Sequence, residues 1–165
     1  MKRLNSLTIR IVSIAVAMAF AASTSLQAAE PSPPGPARTD RCPVCGMFVA
    51  KYPDFVCVAV FRDGTRAYFD GAKDLFKYVF TPKKYDPHRK AEDIVEIYVT
   101  DYYRLTLVDG RRAFYVIGSD VYGPMGKELI PFERKAEAEE FLTDHRGRAV
   151  VTFDAVNPSL VRNLD

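Results

Sequence analysis

The chain contains few of the residues that usually build a metal site. Its 165 residues include no tryptophan, two histidines and three cysteines. A structural zinc site needs four ligands, usually supplied as two closely spaced Cys or His pairs. The sequence offers one such pair, Cys42 and Cys45. The remaining Cys57, His88 and His145 are too widely scattered to supply a second. A zinc ribbon is therefore disfavoured.

The N-terminal region also lacks an apolar run long enough to cross a membrane. The uncharged run Ile11–Ala22 is shorter than the roughly 20 residues that a membrane-spanning helix needs. Three basic residues precede this run, and small residues up to Ala28 follow it. This pattern is typical of a secretory signal peptide. Residues 1–28 are therefore predicted to be a cleavable signal peptide that directs the chain to the periplasm.

The segment after the predicted cleavage point contains no cysteine, so no N-terminal lipid anchor is predicted. Residues 29–41 include four prolines, which predict a stiff, extended tether. The remaining chain is long enough for one modest core or two small half-cores.

No charge of one sign is in marked excess. The chain has 23 Lys and Arg against 21 Asp and Glu, and loss of the three signal-peptide cations leaves 20 against 21. This balance argues against a nucleic-acid partner.

The sequence also lacks a nucleophile paired with a base and a glycine-rich phosphate loop. The sequence therefore predicts a protein that is not an enzyme.

Two regions combine strand patterns with an Asp-Gly turn signal, at Asp63-Gly64 and at Asp109-Gly110. Each region is predicted to form a β-hairpin, because Asp-Gly accommodates the positive φ angles of a tight turn. The paired strands would be Phe55–Phe61 with Thr65–Phe69, and Leu105–Leu107 with Ala113–Ile117.

A helical pattern follows each predicted hairpin, one N-capped by Asp70 and the other preceded by Glu133. Strands then return at Ile94–Thr100 and at Ala149–Phe153. The order ββαβ therefore occurs twice.

This order predicts an α+β fold of two tandem ββαβ units that share a core. The domain would span residues 42–157, with units at about 42–100 and 101–157, and residues 158–165 would form a C-terminal tail. A cysteine tract precedes the first unit, and we expect Gly123-Pro124-Met125-Gly126 in the corresponding region of the second.

The tract Cys42-Pro-Val-Cys45-Gly-Met47 places two thiols and a thioether within six residues. Besides a zinc ribbon, it is compatible with a thioredoxin-like dithiol, a structural disulfide or a copper(I) site. A thioredoxin-like dithiol usually follows a strand, whereas a Pro-rich segment precedes this one. A structural disulfide would leave Met47 unexplained.

A copper(I) site would explain both methionines outside the signal peptide, since soft sulfur ligands favour copper(I). Met47 and Met125 lie beside glycines and outside the periodic apolar patterns of the core. Cys57 lies in the middle of a predicted strand and is expected to be part of the core. The histidines are expected to be structural or solvated.

Several motifs together resemble the NosL family of nitrous-oxide reductase accessory proteins. They are the Cys-x-x-Cys-Gly-Met tract at 42–47, the segment 115–119 leading to Gly123-Pro124-Met125-Gly126, and the segment from Phe132 to Phe141. The resemblance covers about residues 42–156.

The resemblance implies a duplicated ββαβ fold and an exported copper(I)-binding metallochaperone that functions in denitrification. It implies delivery of copper to an exported enzyme such as nitrous-oxide reductase, directly or through membrane-associated assembly factors. The family's ligands would correspond to Cys45, Met47 and Met125, while Cys42 would be a further ligand or a disulfide partner of Cys45. Members of the family are commonly lipoproteins, and this chain departs from that pattern.

Overall fold

The computed structural model describes residues 32–165, which form one unit. The predicted signal peptide and the first residues of the predicted tether lie outside the described residues. None of the helices within 32–165 is both long enough and apolar enough to span a membrane.

The first sheet consists of the antiparallel strands β1 Cys57–Phe61, β2 Arg66–Phe69, β3 Ile94–Thr100 and β4 Leu107–Asp109. They lie in the order β2-β1-β3-β4. A turn at Asp63-Gly64 joins β1 to β2; Gly64 has φ +80° and the Asp63 carboxylate accepts the Thr65 N–H. The first predicted hairpin is therefore confirmed.

The second sheet has three antiparallel strands in the order β6-β5-β7. They are β5 Phe114–Gly123, β6 Gly126–Phe132 and β7 Ala149–Thr152. The hairpin of this sheet is β5–β6, and its turn consists of Pro124 and Met125. The Gly-Pro-Met-Gly segment therefore forms the turn of the second hairpin, whereas the cysteine tract precedes β1, and our expectation that the two segments occupy corresponding positions is wrong.

The predicted hairpin between Leu105 and Ile117 is also wrong. β4 pairs with β3, and the Asp109-Gly110 turn carries the chain from the first sheet to the second. The Gly110 N–H donates to the Ile97 carbonyl, and a Cβ at Gly110 would meet Ile97 Cγ2 at 2.7 Å. Close packing of Gly110 on β3 thus holds this turn against the first sheet. The strand that follows the turn, β5, pairs with β6 and β7 in the second sheet.

The longest two helices follow the hairpins of the two sheets. They are α1 Ala72–Phe80 and α3 Lys135–Asp144, and shorter helices are α2 Pro82–Tyr85 and α4 Pro158–Arg162. Single 3₁₀ turns occur at Val49–Lys51, Pro53–Phe55, Ala91–Asp93 and Phe153–Ala155.

The segment expected to be a C-terminal tail contains α4. The Asn157 side chain caps this helix by accepting the N–H groups of Ser159 and Leu160. Val161 and Leu164 are buried in the main core. This segment therefore packs against the domain.

The order ββαβ occurs twice, as β1-β2-α1-β3 and β5-β6-α3-β7, which confirms the predicted α+β class. In each unit the last strand pairs with the first strand of the hairpin. The units share a core because α1 packs against both β1 and β6. For example, the Phe76 ring lies 5.2 Å from that of Tyr115 in the second sheet. A smaller cluster fills the space under α3.

Candidate metal centre

The cysteine tract folds into a tight loop before the first sheet. Arg41 and Phe48 form an antiparallel bridge, and inside it the Cys42 N–H donates to the Met47 carbonyl at 2.9 Å. The Gly46 N–H donates to the Cys42 carbonyl, and Gly46 has φ +80°. Glycine adopts this left-handed conformation without steric cost. The loop therefore brings the backbones of Cys42 and Met47 together.

Both thiols of the loop face carboxylates at the start of α1. Cys42 Sγ donates to Asp74 Oδ2 at 3.4 Å, and Cys45 Sγ donates to Asp70 Oδ1 at 3.2 Å. The ligand atoms of these four residues all lie within 4.8 Å of one another. Within residues 32–165, no other group of three or more Cys, His, Asp or Glu comes as close together. We call these four residues the Cys/Asp cluster.

The Cys/Asp cluster is largely shielded from water. Cys42, Asp70 and Asp74 are at most 2% exposed, and Cys45 is half-buried. Burial raises the pKa of Cys45 to about 12 and also raises that of Cys42. Both thiols are therefore protonated at neutral pH, as their role as hydrogen-bond donors requires. All three cysteines are free thiols in this structure.

Asp70 and Asp74 were not predicted as site residues. Asp70 was predicted to be the N-cap of α1, but the N-cap is Gly71 and makes no side-chain hydrogen bond. The Asp70 carboxylate instead accepts a hydrogen bond from the Cys45 thiol. Asp70 precedes the extended N-cap Gly71 and lies outside the helix, so helical spacing does not pair it with Asp74, and no sequence signal identified the two carboxylates together.

The structure places the two predicted methionines in different loops. Met47 belongs to the cysteine loop and is half-buried. Met125 lies at the tip of the β5–β6 turn, where its side chain is 44% exposed. Its carbonyl accepts a hydrogen bond of 2.8 Å from Nζ of Lys73, a residue of α1 between Asp70 and Asp74. This hydrogen bond thus connects the Met125 turn to α1, the helix that begins at the Cys/Asp cluster.

The other sulfur and imidazole groups lie outside the cluster. Cys57 is 1% exposed and its thiol donates to the Phe55 carbonyl, which confirms its assignment to the core. The His145 ring bonds Asp120 and stacks on Phe141 at 4.2 Å, so this histidine has a structural role. His88 is part of the exposed loop after α2.

The fold and the cluster together define an α+β protein with a buried, sulfur-containing candidate metal site. The sequence model of the NosL family matches residues 35–161, and the chain belongs to that family. This match confirms the resemblance described from the motifs.

Two relatives illustrate the match. The chain is 27% identical over 132 residues to the copper-binding lipoprotein NosL of Stutzerimonas stutzeri, covering 75% of this chain and 65% of that protein. It thus spans slightly less than two thirds of that relative's length. The crystal structure of the copper chaperone NosL from Shewanella denitrificans superposes with a TM-score of 0.66 at 24% identity, covering 78% of this chain and 99% of that one. The second comparison shows a shared fold.

Proposed function

We propose that the chain is an exported copper(I) metallochaperone that binds the ion as cargo and passes it to another protein. The observation that carries this proposal is the convergence of two thiols in one tight loop, with Met47 in the same loop and the Met125 turn hydrogen-bonded to the adjoining helix. Membership of the NosL family supports it, since its named relatives are a copper-binding protein and a copper chaperone.

The proposed ligands are Cys45, Met47 and Met125, with Cys42 as an additional thiol. Soft sulfur donors favour copper(I) over hard cations. One thiolate supplies charge and affinity, whereas the neutral thioethers hold the ion without adding charge. Cys45 is the principal ligand because it is separated from Met47 by Gly46 alone. The ion would then be released by ligand exchange with a recipient.

Asp70 and Asp74 have a different proposed role. Carboxylate oxygens are hard donors and suit copper(I) poorly. In the structure they accept hydrogen bonds from the Cys45 and Cys42 thiols at 3.2 and 3.4 Å. We assign them to orienting the two sulfur atoms in the apoprotein.

The proposed recipient is an exported copper enzyme such as nitrous-oxide reductase, reached directly or through membrane-associated assembly factors. The predicted signal peptide supports a periplasmic location, where these partners would be met. The proposal includes no nucleic-acid partner.

A thiol-disulfide oxidoreductase is the principal alternative, and the environment of the cysteines argues against it. The reactive cysteine of such enzymes has a lowered pKa, which maintains the thiolate. Burial raises the pKa of both Cys42 and Cys45 in this protein. The pair is thus poorly suited to attack a disulfide, although a metal ion can displace its protons.

Substitution of the two loop cysteines tests the proposal. We expect Cys45→Ser to reduce copper(I) affinity more than Cys42→Ser, since Cys45 shares its chelate with Met47. Competition against a copper(I) chelator under reducing, anaerobic conditions measures both. Cys57→Ala is the matched control and should keep the affinity of the parent protein. Equal losses at positions 42 and 45 would mean that the three-sulfur site is incomplete, and no loss at either would refute it.

A further inference from the structure

Lys73 is a buried cation in the first turn of α1. Its side chain is 2% exposed, although lysine is rarely buried without partners. Nζ donates to the Met125 carbonyl at 2.8 Å and to the Leu164 carbonyl at 3.3 Å, and lies 3.4 Å from Asp165 Oδ1. A single ammonium group thus joins α1, the β5–β6 turn and the segment after α4.

A second hydrogen bond joins the same two elements, and here a side chain of the hairpin contacts the backbone of α1. The Glu128 carboxyl group, on β6, accepts the backbone N–H of Lys73 at 2.5 Å and that of Leu129 at 2.9 Å. It satisfies a donor at the start of α1, where Gly71 supplies no side-chain cap. The β5–β6 hairpin and α1 are therefore joined by two hydrogen bonds that Lys73 donates, one from its side chain and one from its backbone.

Two glycines make room for this arrangement. A Cβ at Gly71 would collide with the Glu128 carboxylate, and one at Gly123 would meet Glu128 Cγ at 3.0 Å. Gly123 pairs with Gly126 across the hairpin, so the turn that carries Met125 begins at this contact. The close approach of the turn to α1 consequently depends on both glycines.

We propose that Lys73 is the positioning residue that holds the Met125 turn beside the Cys/Asp cluster. Lys73 lies between Asp70 and Asp74, whose carboxylates accept hydrogen bonds from the two thiols. The Lys73 ammonium in turn donates a hydrogen bond to the backbone carbonyl of Met125, the predicted thioether ligand. The side chain of Met125 is 44% exposed, so packing alone does not fix its position. This inference rests on the proposed function, in which Met125 is a copper(I) ligand.

A double-mutant cycle between Lys73→Leu and Met125→Leu separates positioning from general stability. Copper(I) affinities of the parent, both single variants and the double variant are measured by chelator competition. We expect Lys73→Leu to weaken binding about tenfold when Met125 is present and to have no effect in the Met125→Leu background; such coupling is usual for interacting residues. If Lys73→Leu does not fold, Lys73→Gln takes its place in the cycle.

Methionine-methyl NMR gives an independent readout of position. With ¹³C-methyl methionine in residues 29–165, the protein gives signals from Met47 and Met125. We expect Lys73→Leu to shift the Met125 signal and leave the Met47 signal in place, and the conservative Lys73→Arg to restore the parent spectrum and affinity.

The outcomes distinguish the two claims. If Met125→Leu weakens copper binding while Lys73→Leu has an equal effect in both backgrounds, or none, the positioning role is refuted and the copper site stands. If Met125→Leu leaves the affinity unchanged, Met125 is not a ligand, and the proposed site and the positioning role both fail.

Discussion

At the scale of single residues, the protonation of the cysteines controls the proposed metal binding. The Cys45 pKa is raised to about 12 by burial, so this thiol is protonated throughout the physiological range. A metal ion binds the thiolate and must therefore displace a proton. Copper(I) affinity should then depend on pH, and the steepness of this dependence counts the thiolate ligands.

We predict that copper(I) affinity rises about tenfold per pH unit between pH 6 and 8, as expected when one thiolate binds. The sign follows from the raised pKa, because higher pH lowers the cost of removing the Cys45 proton. Competition titrations with a chelator that does not titrate in this range provide the measurement. Cys42→Ser should keep the slope and Cys45→Ser should abolish it. A hundredfold rise per pH unit would make Cys42 a second thiolate ligand, and a flat profile would exclude thiolate binding.

Sequence reasoning at this scale found the cysteines and missed their carboxylate partners. Cys42 and Cys45 were identifiable because thiols at this spacing have few roles. Asp70 was ambiguous, since an aspartate before a helix is favourable both as an N-cap and as an acceptor for a distant donor. Its partner Cys45 is 25 residues away, and only the fold decides between these roles.

At the scale of elements, the short loop at 42–47 determines how its sulfur atoms are presented. Its conformation depends on Gly46, whose φ of +80° is costly for other residues. Open space surrounds the position that a Cβ would occupy there. A substitution would therefore test the backbone conformation without a steric clash.

We predict that Gly46→Ala lowers the free energy of unfolding by about 1 kcal/mol, the usual cost of the left-handed conformation, and weakens copper(I) binding as the loop relaxes. Gly64→Ala is a matched control, because Gly64 also has φ +80° and open surroundings but lies at the opposite end of β2 from Asp70. Urea denaturation and chelator competition measure both variants. Equal copper affinities for the two would show that the geometry of the cysteine loop is unimportant for binding.

The first ββαβ unit could be predicted from the sequence, but the hairpin of the second could not. The periodic patterns gave the strand Ile94–Thr100 with its observed limits, whereas they assigned residues 105–107 to the second hairpin and did not predict β6. The Asp109-Gly110 signal correctly located a turn. A turn signal is local, however, and does not reveal whether the next strand joins the same sheet; here packing of Gly110 on Ile97 decides this.

At the scale of the whole molecule, Glu128 connects the second sheet to the helix of the first unit. Complete burial raises its pKa to about 8, far above that of a carboxyl group in water. The folded state therefore holds the proton more tightly than the unfolded state does. The stability associated with this proton is fully present below the unfolded-state pKa and is lost as the pH rises through about 8.

Glu128→Gln should remove this dependence. The amide oxygen can still accept the two N–H groups, and an amide has no charge to bury. We predict that the free energy of unfolding of the parent falls between about pH 5 and 8 relative to that of the variant. Urea denaturation across this range measures the difference. Parallel pH profiles for the two proteins would show that Glu128 does not titrate in this way.

The central claim is that sulfur ligands make the chain select copper(I). The most direct test is a metal competition experiment with the reduced protein comprising residues 29–165. The alternative donor set of two thiols and two carboxylates would suit zinc(II). Under anaerobic conditions, with both ions offered, we predict retention of about one copper(I) per chain in strong preference to zinc(II), as soft thiolate and thioether ligands favour. Stronger retention of zinc(II), or no retention of copper, would contradict the claim.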